Sequence, residues 1–202
     1  MEDPCFEASA PQRMDRTKMA YRKTIDTEDG KNISLEQLTG REDPEEFRRL
    51  INALVKEGAH INRDSLVTEA EEIKWLRERI SATRKGNEIF IKALAGGKLI
   101  GCCTAARGQQ TERDNTELGI MLDRRWRGKG IGRALLGETI RLAKQKWKPR
   151  NIYLKAVKDN RNALVMYTLM GFRVTAVLPG WISDKEGCHD LIVMTQKRER
   201  KK

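Results

Sequence analysis

The chain carries at residues 127–133 the basic, glycine-rich stretch Arg127-Gly128-Lys129-Gly130-Ile131-Gly132-Arg133. The largely apolar residues 118–122 before it predict a buried strand, and residues 136–147 after it repeat apolar side chains at helical spacing until Pro149. The predicted order is strand, glycine turn, helix. Glycine lets backbone N–H groups approach a ligand closely, and a helix start offers free N–H groups that favour an anion. The stretch therefore predicts a phosphate-binding turn.

Two common phosphate-binding motifs do not fit this turn. A nucleotide-triphosphate loop ends in Gly-Lys-Ser/Thr, whereas Lys129 is followed by Gly130. A dinucleotide fingerprint needs a third glycine where this chain has Arg133 or Leu135, depending on the glycine from which the count starts. Both classes of nucleotide site are therefore excluded.

The spacing that fits is Arg/Gln-x-x-Gly-x-Gly/Ala, matched by Arg127, Gly130 and Gly132. Further along, a second pattern, Asn-x-x-Ala-x-x-x-Tyr-x-x-x-Gly-Phe, is matched without a gap by Asn160, Ala163, Tyr167, Gly171 and Phe172. Together the two patterns resemble the GNAT superfamily of acetyl-CoA-dependent N-acetyltransferases. The likeness covers about residues 33–196, and the first helices match only in pattern.

This resemblance implies a single α/β domain with a mixed central sheet of about seven strands and about four flanking helices. It also implies that the two middle parallel strands splay apart. Acetyl-CoA would be the cosubstrate. No metal is expected, because Cys5, Cys102, Cys103 and Cys188 show no metal-ligand spacing with each other or with histidine.

The resemblance also assigns residues to the cofactor. The backbone from residue 128 to 133 would cradle the pyrophosphate, with charge from Arg127 and Lys129. The backbone of Met121 and Leu122 would hold the pantetheine arm and polarise the thioester carbonyl, and Asn160 would bond the same arm or only cap its helix. The full cofactor set is Met121, Leu122, Arg127, Gly128, Lys129, Gly130, Ile131, Gly132, Arg133 and Asn160.

Two residues are the candidates for proton transfer. By the resemblance, Tyr167 would protonate the leaving thiolate, since a phenol stays a neutral donor at pH 7. Glu117 would deprotonate the amine, or it is simply an exposed strand carboxylate. His189 and Asp190 form another candidate pair for the base, or they are ordinary residues at a strand entry.

The remaining chain is organised around this domain. Residues 1–31 have no apolar period and predict a disordered leader, residues 32–196 the domain, and residues 197–202 a basic tail. Asp43-Pro44 and a Thr68/Glu71 capping box predict two helices, the second with an inner face of Ile73, Leu76 and Ile80. Residues 179–187 predict a turn-rich connection. The loop 59–66 falls where the family forms its acceptor wall, and His60 there either contacts substrate or is solvated.

The net charge of +11 is concentrated between residues 124 and 150, where ten Lys or Arg stand against one Glu. Such a field attracts anions, and coenzyme A accounts for part of it. The rest is a solvated surface or a face for an acidic protein or nucleic acid. No apolar run approaches the ~20 residues that cross a bilayer, and no export signal is evident, so no membrane contact and a cytoplasmic location are expected.

The sequence therefore predicts an N-acetyltransferase that transfers acetyl to a primary amine by direct attack in a ternary complex. The basic surface favours a protein N-terminal or lysine amine, for example on the ribosome, over a small polycationic amine. The alternative is a catalytically silent binding module that uses its basic face for nucleic acid or a protein partner. A homodimer is left open.

Overall fold

In a computed structural model, the described residues form one eight-stranded sheet with four α-helices. The structure describes residues 21–27, 29–61, 63–185 and 187–197. In chain order the elements are β1 (Arg22–Asp26), β2 (Asn32–Gln37), α1 (Pro44–Lys56), α2 (Glu69–Arg84), β3 (Glu88–Ala95), β4 (Lys98–Arg107), β5 (Asn115–Leu122), α3 (Ile131–Trp147), β6 (Asn151–Val157), α4 (Arg161–Leu169), β7 (Arg173–Asp184) and β8 (Gly187–Lys197).

The first two helices begin where the local signals predict. The Asp43 side chain accepts a hydrogen bond from the Glu45 N–H, and Pro44 occupies the first position of α1. At the start of α2, Thr68 and Glu71 form a reciprocal capping box. Both predicted helix starts are confirmed.

The strands lie in the order β1-β2-β3-β4-β5-β6-β8-β7. All neighbours are antiparallel except β5 and β6, which are parallel and are joined through α3. The predicted mixed α/β sheet is confirmed, with eight strands where about seven were expected. Within the described residues, no helix has the length and apolar character needed to cross a bilayer.

The additional strand is β1, and it lies inside the predicted disordered leader. It pairs with β2 at five register positions, from Arg22 with Glu36 to Asp26 with Asn32. Ile25 packs against the core as well. The prediction of disorder is therefore wrong for residues 22–26, because backbone pairing stabilises a segment whose side chains show little apolar pattern. Residues 1–20 of the leader lie outside the described residues.

The C-terminal hairpin also differs from the prediction. Instead of a connection over residues 179–187, β7 continues to Asp184 across an irregularity between Leu178 and Ile182. Because β8 offers a pairing edge along this whole length, Pro179 and Gly180 interrupt the ladder without ending the strand. β8 reaches Lys197, the first residue of the predicted basic tail, and residues 198–202 lie outside the described part.

Apolar clusters cover both faces of the sheet. The larger one packs α3 and α4 against the strands and includes Cys103, Leu136 and Tyr167. The smaller one packs α1 and α2 against the other face and includes Phe47 and Cys102. The adjacent Cys102 and Cys103 thus face opposite sides, as strand alternation predicts.

The parallel pair β5 and β6 stays together only at its beginning. Register partners run from Asn115 with Asn151 to Leu118 with Leu154 and stop there. β5 continues to Leu122 and β6 to Val157, but beyond Leu118 and Leu154 the two strands no longer pair with each other. The predicted splay between the middle parallel strands is therefore confirmed.

Candidate active site

A cleft of about 680 Å³ opens where β5 and β6 separate. Its wall includes Phe47 and Trp75 from one face of the sheet and Leu136 and Tyr167 from the other. The cleft therefore passes between the strands and connects the two faces. The polar side chains along it include Thr104, Glu117 and Asn160 in its middle part and His60, Arg63, Glu71 and Glu72 on the side of α1 and α2.

The glycine turn lies between the end of β5 and the start of α3. Gly128 and Gly130 have φ angles of 73° and 77°, a left-handed conformation that glycine adopts without strain. A Cβ placed on either residue would meet no atom within 4 Å, so the turn faces open space. Gly130 caps α3 without a side-chain hydrogen bond, and the first turn of α3 contains no acidic residue.

The backbone N–H groups of this turn are available to a ligand. The first bond of α3 runs from the Ala134 N–H to the Gly130 carbonyl. Among the described residues, none accepts a hydrogen bond from the N–H groups of residues 128–133. Because these donors coincide with the positive end of the α3 dipole, they form an anion site. Ile131 is fully buried and anchors the turn to the core.

The basic side chains of the turn differ in their partners. Arg127 donates to the Leu122 carbonyl at 3.0 Å and pairs with Glu57 just after α1. Lys129 pairs with Asp29 at 2.5 Å and holds the pKa of that carboxyl well below its usual range. Both cations thus form ion pairs with protein carboxylates, whereas the resemblance assigns their charge to the pyrophosphate. Arg133 is exposed and has no ion pair within the described ranges.

The edge of β5 that faces the gap can be identified from its bonds to β4. The N–H of Asp123, just after the strand, donates to the Ile100 carbonyl of β4 at 2.9 Å. Residues of an antiparallel strand alternate in the edge to which their backbone groups point. The backbone of Met121 therefore faces β4, and the backbone groups of Ile120 and Leu122 face the gap.

This alternation separates two of the predicted cofactor residues. The backbone of Leu122 lies on the open edge, whereas the backbone of Met121 is directed into the β4 ladder, with Cys102 as its register partner. Ile120, rather than Met121, shares the open edge with Leu122. The Met121 side chain packs with the smaller apolar cluster and lines the cleft. The signal that could have indicated Ile120 is the period of two along a strand, because residues 120 and 122 direct their backbone groups to the same edge.

Asn160 is the residue before α4 and caps it. Its side-chain oxygen accepts a hydrogen bond from the Ala163 N–H at 3.3 Å. Its amide NH₂ group has no partner within the described part of the chain, and the residue lines the cleft. Capping uses only the oxygen, so the same side chain can offer an N–H donor to a ligand.

Tyr167 lies two turns further along α4 and is 6% exposed. Its ring packs edge-on against Phe172 at a centroid distance of 6.2 Å. Burial, with a smaller effect of the nearby Cys103 thiol, raises the pKa of Tyr167 to about 12. The phenol therefore stays protonated at neutral pH, and it faces the cleft as a hydrogen-bond donor.

Glu117 lies at the point where the parallel strands still pair. It accepts a hydrogen bond from the Tyr153 hydroxyl at 3.0 Å and forms an ion pair with Lys155 at 3.1 Å. Both partners come from β6. Burial and the Glu117 carboxylate raise the pKa of Tyr153 to about 12, so this tyrosine donates to Glu117 throughout the neutral range. The carboxylate is half-exposed and lines the cleft.

The other candidate base pair, His189 and Asp190, lies outside the cleft lining. His189 bridges Asp159 and Asp184, at 2.9 Å and 3.1 Å. Asp190 pairs with Lys158 at 2.9 Å. These contacts tie the β7–β8 hairpin to the loop before α4, which is a structural role. His60, in the α1–α2 connection, is exposed at the cleft rim.

One cleft residue that sequence reasoning missed is Glu72. It is 5% exposed and lies on the buried face of α2, next to the cleft. The predicted inner face used Ile73, but Glu72, Trp75, Leu76 and Ile80 are the residues that turn inward. An apolar pattern could not have found Glu72, because a charged residue breaks that pattern.

The cysteines do not provide a nucleophile in the cleft. Burial raises the pKa of Cys103 to about 12 and also raises the pKa of Cys102, so both remain neutral thiols. Cys188 is exposed, and Cys5 lies outside the described residues. No group of three or more His, Cys, Asp or Glu side chains in the described ranges is arranged to hold a metal ion.

Comparison with known proteins identifies the segment that carries this site. A model of the family described as the acetyltransferase (GNAT) family matches residues 48–172. The match includes the glycine turn, both splayed strands and α4. A comparison with curated proteins found no significant sequence match.

Solved structures share the fold at low sequence identity. A GNAT-family acetyltransferase from Streptococcus pneumoniae superposes with a TM-score of 0.72 at 23% identity, over 82% of this chain and 99% of that one. A ribosomal-protein-alanine N-acetyltransferase from Brucella melitensis gives 0.71 at 22% identity, over 81% and 99%. A phosphinothricin acetyltransferase from Sinorhizobium meliloti, in complex with AcCoA, gives 0.69 at 22% identity, over 82% and 88%.

Proposed function

The chain belongs to the acetyltransferase (GNAT) family, and we propose that it is an N-acetyltransferase that uses acetyl-CoA. The acetyl group passes to a primary amine by direct attack while both substrates are bound. One observation supports this most strongly. β5, which borders the gap, is followed along the chain by a glycine turn whose backbone donors have no acceptor among the described residues.

The glycine turn fits the diphosphate of coenzyme A. The N–H groups of residues 128–133 have no acceptor among the described residues, and the left-handed Gly128 and Gly130 leave room for close approach. Arg133, which forms no ion pair with a described residue, supplies a positive charge. Arg127 and Lys129, which are paired with Glu57 and Asp29, position the turn rather than neutralise the phosphates. The Sinorhizobium protein was solved in complex with AcCoA, which supports the choice of cosubstrate.

The open edge of β5 fits the pantetheine arm and the thioester. The N–H groups of Ile120 and Leu122 face the gap, where an extended amide-bearing chain can pair with them like another strand. In this arrangement the Leu122 N–H polarises the thioester carbonyl, and the free NH₂ group of Asn160 bonds the arm from the opposite side. Fixed donors of this kind stabilise the charge that develops on the oxygen during attack.

Two side chains transfer protons during the reaction. The amine nitrogen attacks the carbonyl carbon, the C–S bond breaks, and the Tyr167 hydroxyl gives its proton to the departing sulfur. Glu117 accepts the proton that the amine loses, directly or through a water molecule. Exchange with solvent then restores both side chains. The products are an N-acetylated amine and coenzyme A with a free thiol, so atoms and charge balance.

The acceptor enters from the side of α1 and α2. The structural neighbours include an N-acetyltransferase of ribosomal-protein alanine and an acetyltransferase of phosphinothricin, so one has a protein acceptor and the other a small one. The net charge of +11 favours an amine on a macromolecule in acidic surroundings over a free polycation, because the basic surface repels polycations.

The test has two readouts. Acetyl-CoA should raise the midpoint of thermal unfolding of the full chain, since it binds only the folded state. Thiol release should then appear when acetyl-CoA is combined with members of a panel of primary amines and peptides. Protection without release from any amine would favour the silent binding module. A lack of both protection and release would refute the proposed function.

A further inference from the structure

Glu72 is a buried residue at the acceptor side of the cleft, and its carboxylate forms no ion pair with any described residue. Its residue is 5% exposed, and it lines the cleft from α2. Its side chain has no hydrogen bond and no ion pair within the part of the chain that the structure describes. Buried charged groups in proteins are normally paired, so an unpaired one that faces a cleft calls for a ligand of opposite charge.

The neighbouring charged groups are already engaged with each other. Arg63 forms an ion pair with Glu71 at 2.9 Å, and Glu71 also caps α2. Glu117 is held by two groups of β6, as described above. α1 contributes only apolar residues to this part of the lining, and the Cys102 thiol of β4 is neutral. Arg63 offsets the charge of Glu72 only in part and from a distance, because its ion pair is with Glu71.

The charge of Glu72 persists at neutral pH. Burial raises its pKa to about 6, an effect that Arg63 opposes and Glu71 reinforces. The carboxylate is therefore mostly ionised above pH 6, although its environment disfavours the charge. An incoming cation would relieve that cost, because it supplies the missing partner in a site of low polarity.

The wall next to Glu72 is apolar and aromatic. Phe47 of α1 and Trp75 of α2 both line the cleft, with ring centroids 6.0 Å apart. Trp75 follows Glu72 by three residues and thus lies on the same face of α2. Leu50 and Val67 continue this surface. The site therefore combines one negative charge with an apolar wall.

We propose that Glu72 binds the ammonium group of the acceptor, and that the acceptor is a primary amine on an apolar stem that packs against Phe47 and Trp75. This inference rests on the proposed acetyl transfer and adds the acceptor class to it. Glu72 is a specificity-determining residue that holds the ammonium form as it enters. That form first loses one proton to solvent, and the neutral amine then attacks and loses its second proton to Glu117. The same chemistry is offered by a small aralkylamine and by a peptide with an apolar first residue.

A structural role and a ligand-binding role predict opposite effects on stability. The raised pKa of Glu72 means that the folded protein loses stability as pH rises from the unfolded carboxyl value, near 4, through about 6. Glu72→Gln removes the unpaired charge, so the midpoint of thermal unfolding at pH 8 should rise above that of wild type. A residue kept for a structural contact would show a fall instead.

Binding is measured by calorimetry on the full chain saturated with coenzyme A. The probes are 2-phenylethylamine and 2-phenylethanol, which share a stem and differ in charge. Wild type should prefer the amine about tenfold or more, the usual contribution of a charge-assisted hydrogen bond. Glu72→Gln should lose this preference. The control, Glu78→Gln, changes an exposed carboxylate of the same helix and should retain it.

Turnover measurements distinguish a small aralkylamine from a peptide as the acceptor. They also distinguish failure of the Glu72 inference from failure of the proposed acetyl transfer. The KM values of 2-phenylethylamine and of the peptide Phe-Ala-Ala-Ala-amide are compared in wild type and Glu72→Gln. In Glu72→Gln the KM of one or both probes should rise about tenfold, and the KM of acetyl-CoA should not change. The probe whose KM rises identifies the source of the amine. Equal binding of amine and alcohol by wild type, or unchanged KM values in Glu72→Gln, would overturn the inference while acetyl-CoA binding still stands. Failure to bind acetyl-CoA would refute the proposed function itself.

Discussion

Leu118 of β5 and Leu154 of β6 are the last residue pair of the only parallel ladder that the described residues form. Beyond them the strands diverge and the cleft begins. Leu118 also contributes to the larger apolar cluster together with Leu154, so the point of separation is fixed by packing. The gap is therefore a built part of the fold, and the glycine turn lies at the far end of its β5 wall.

A bulky residue in the glycine turn should abolish cofactor binding. In Gly130→Trp, the side chain would occupy the space in front of the N–H donors, and the left-handed backbone would cost about 1–2 kcal/mol. Titration calorimetry should detect no acetyl-CoA binding, while circular dichroism shows a folded protein.

The matched control is Gly97→Trp in the β3–β4 turn. Gly97 has a φ of 78° and equally open surroundings, so the backbone strain is comparable. This variant should bind acetyl-CoA like wild type. If Gly130→Trp retained wild-type affinity, the diphosphate would not lie at this turn.

Removal of the Tyr167 hydroxyl should slow the chemical step. Tyr167→Phe keeps the ring against Phe172 but removes the proton donor, so kcat should fall about 10²-fold or more. The dissociation constant of acetyl-CoA should change little. A thiol-release assay measures kcat, and titration calorimetry measures the dissociation constant of acetyl-CoA.

Tyr21→Phe is the control for this prediction. Tyr21 packs against the same apolar cluster, and burial together with Glu138 raises its pKa to about 12, but it lies on the β1 side of the sheet. Its variant should keep full kcat. Full activity in Tyr167→Phe would remove Tyr167 from the mechanism.

Glu117→Gln should lower the rate. If Glu117 accepts the amine proton, an amide in its place cannot, so kcat/KM should fall about 10²-fold. Rates measured from pH 5 to 9 test this, with the exposed Glu112→Gln as control. A variant profile with the height and shape of wild type would exclude Glu117 as the base.

The interaction of His189 with Asp159 and Asp184 should stabilise the fold most at low pH. Hydrogen bonds to Asp159 and Asp184 raise the pKa of His189. The charged histidine is therefore favoured in the folded state, and its stabilisation is fully present below the unfolded pKa of about 6.5 and is lost as pH rises through the higher folded pKa. Unfolding midpoints of wild type and His189→Gln should differ at pH 6 and converge at higher pH. A difference that grows with pH would contradict the ion-pair account.

Local sequence signals predicted the elements well. The caps at Asp43 and Thr68, the left-handed Gly130 and the cap at Asn160 each depend on residues within a few positions of each other. Such contacts are encoded by short motifs. The order of strand, glycine turn and helix could therefore be predicted from the sequence alone.

Contacts between distant segments could not be predicted in the same way. Arg127 pairs with Glu57, 70 positions earlier, and Lys129 pairs with Asp29, 100 positions earlier. These partners are brought together only by the packing of the sheet and helices. Nothing in the glycine motif indicates that two of its cations are already paired.

Two further differences arise where burial overrides local preference. β1 has few apolar residues and is ordered by its ladder with β2. Glu72 turns inward because Trp75 and Leu76 fix the rotation of α2, and its charge is carried at a cost to the fold. Departures of this kind are expected at functional sites, where local rules give way to ligand binding.

A crystal structure of the chain with acetyl-CoA would show whether the cosubstrate lies in the gap beyond Leu118 and Leu154. We expect the diphosphate within hydrogen-bonding distance of the N–H groups of residues 128–133, and the pantetheine arm between β5 and β6 with its thioester near Tyr167. A ligand bound elsewhere on the surface, with the gap between these strands left open, would refute the proposed cofactor site.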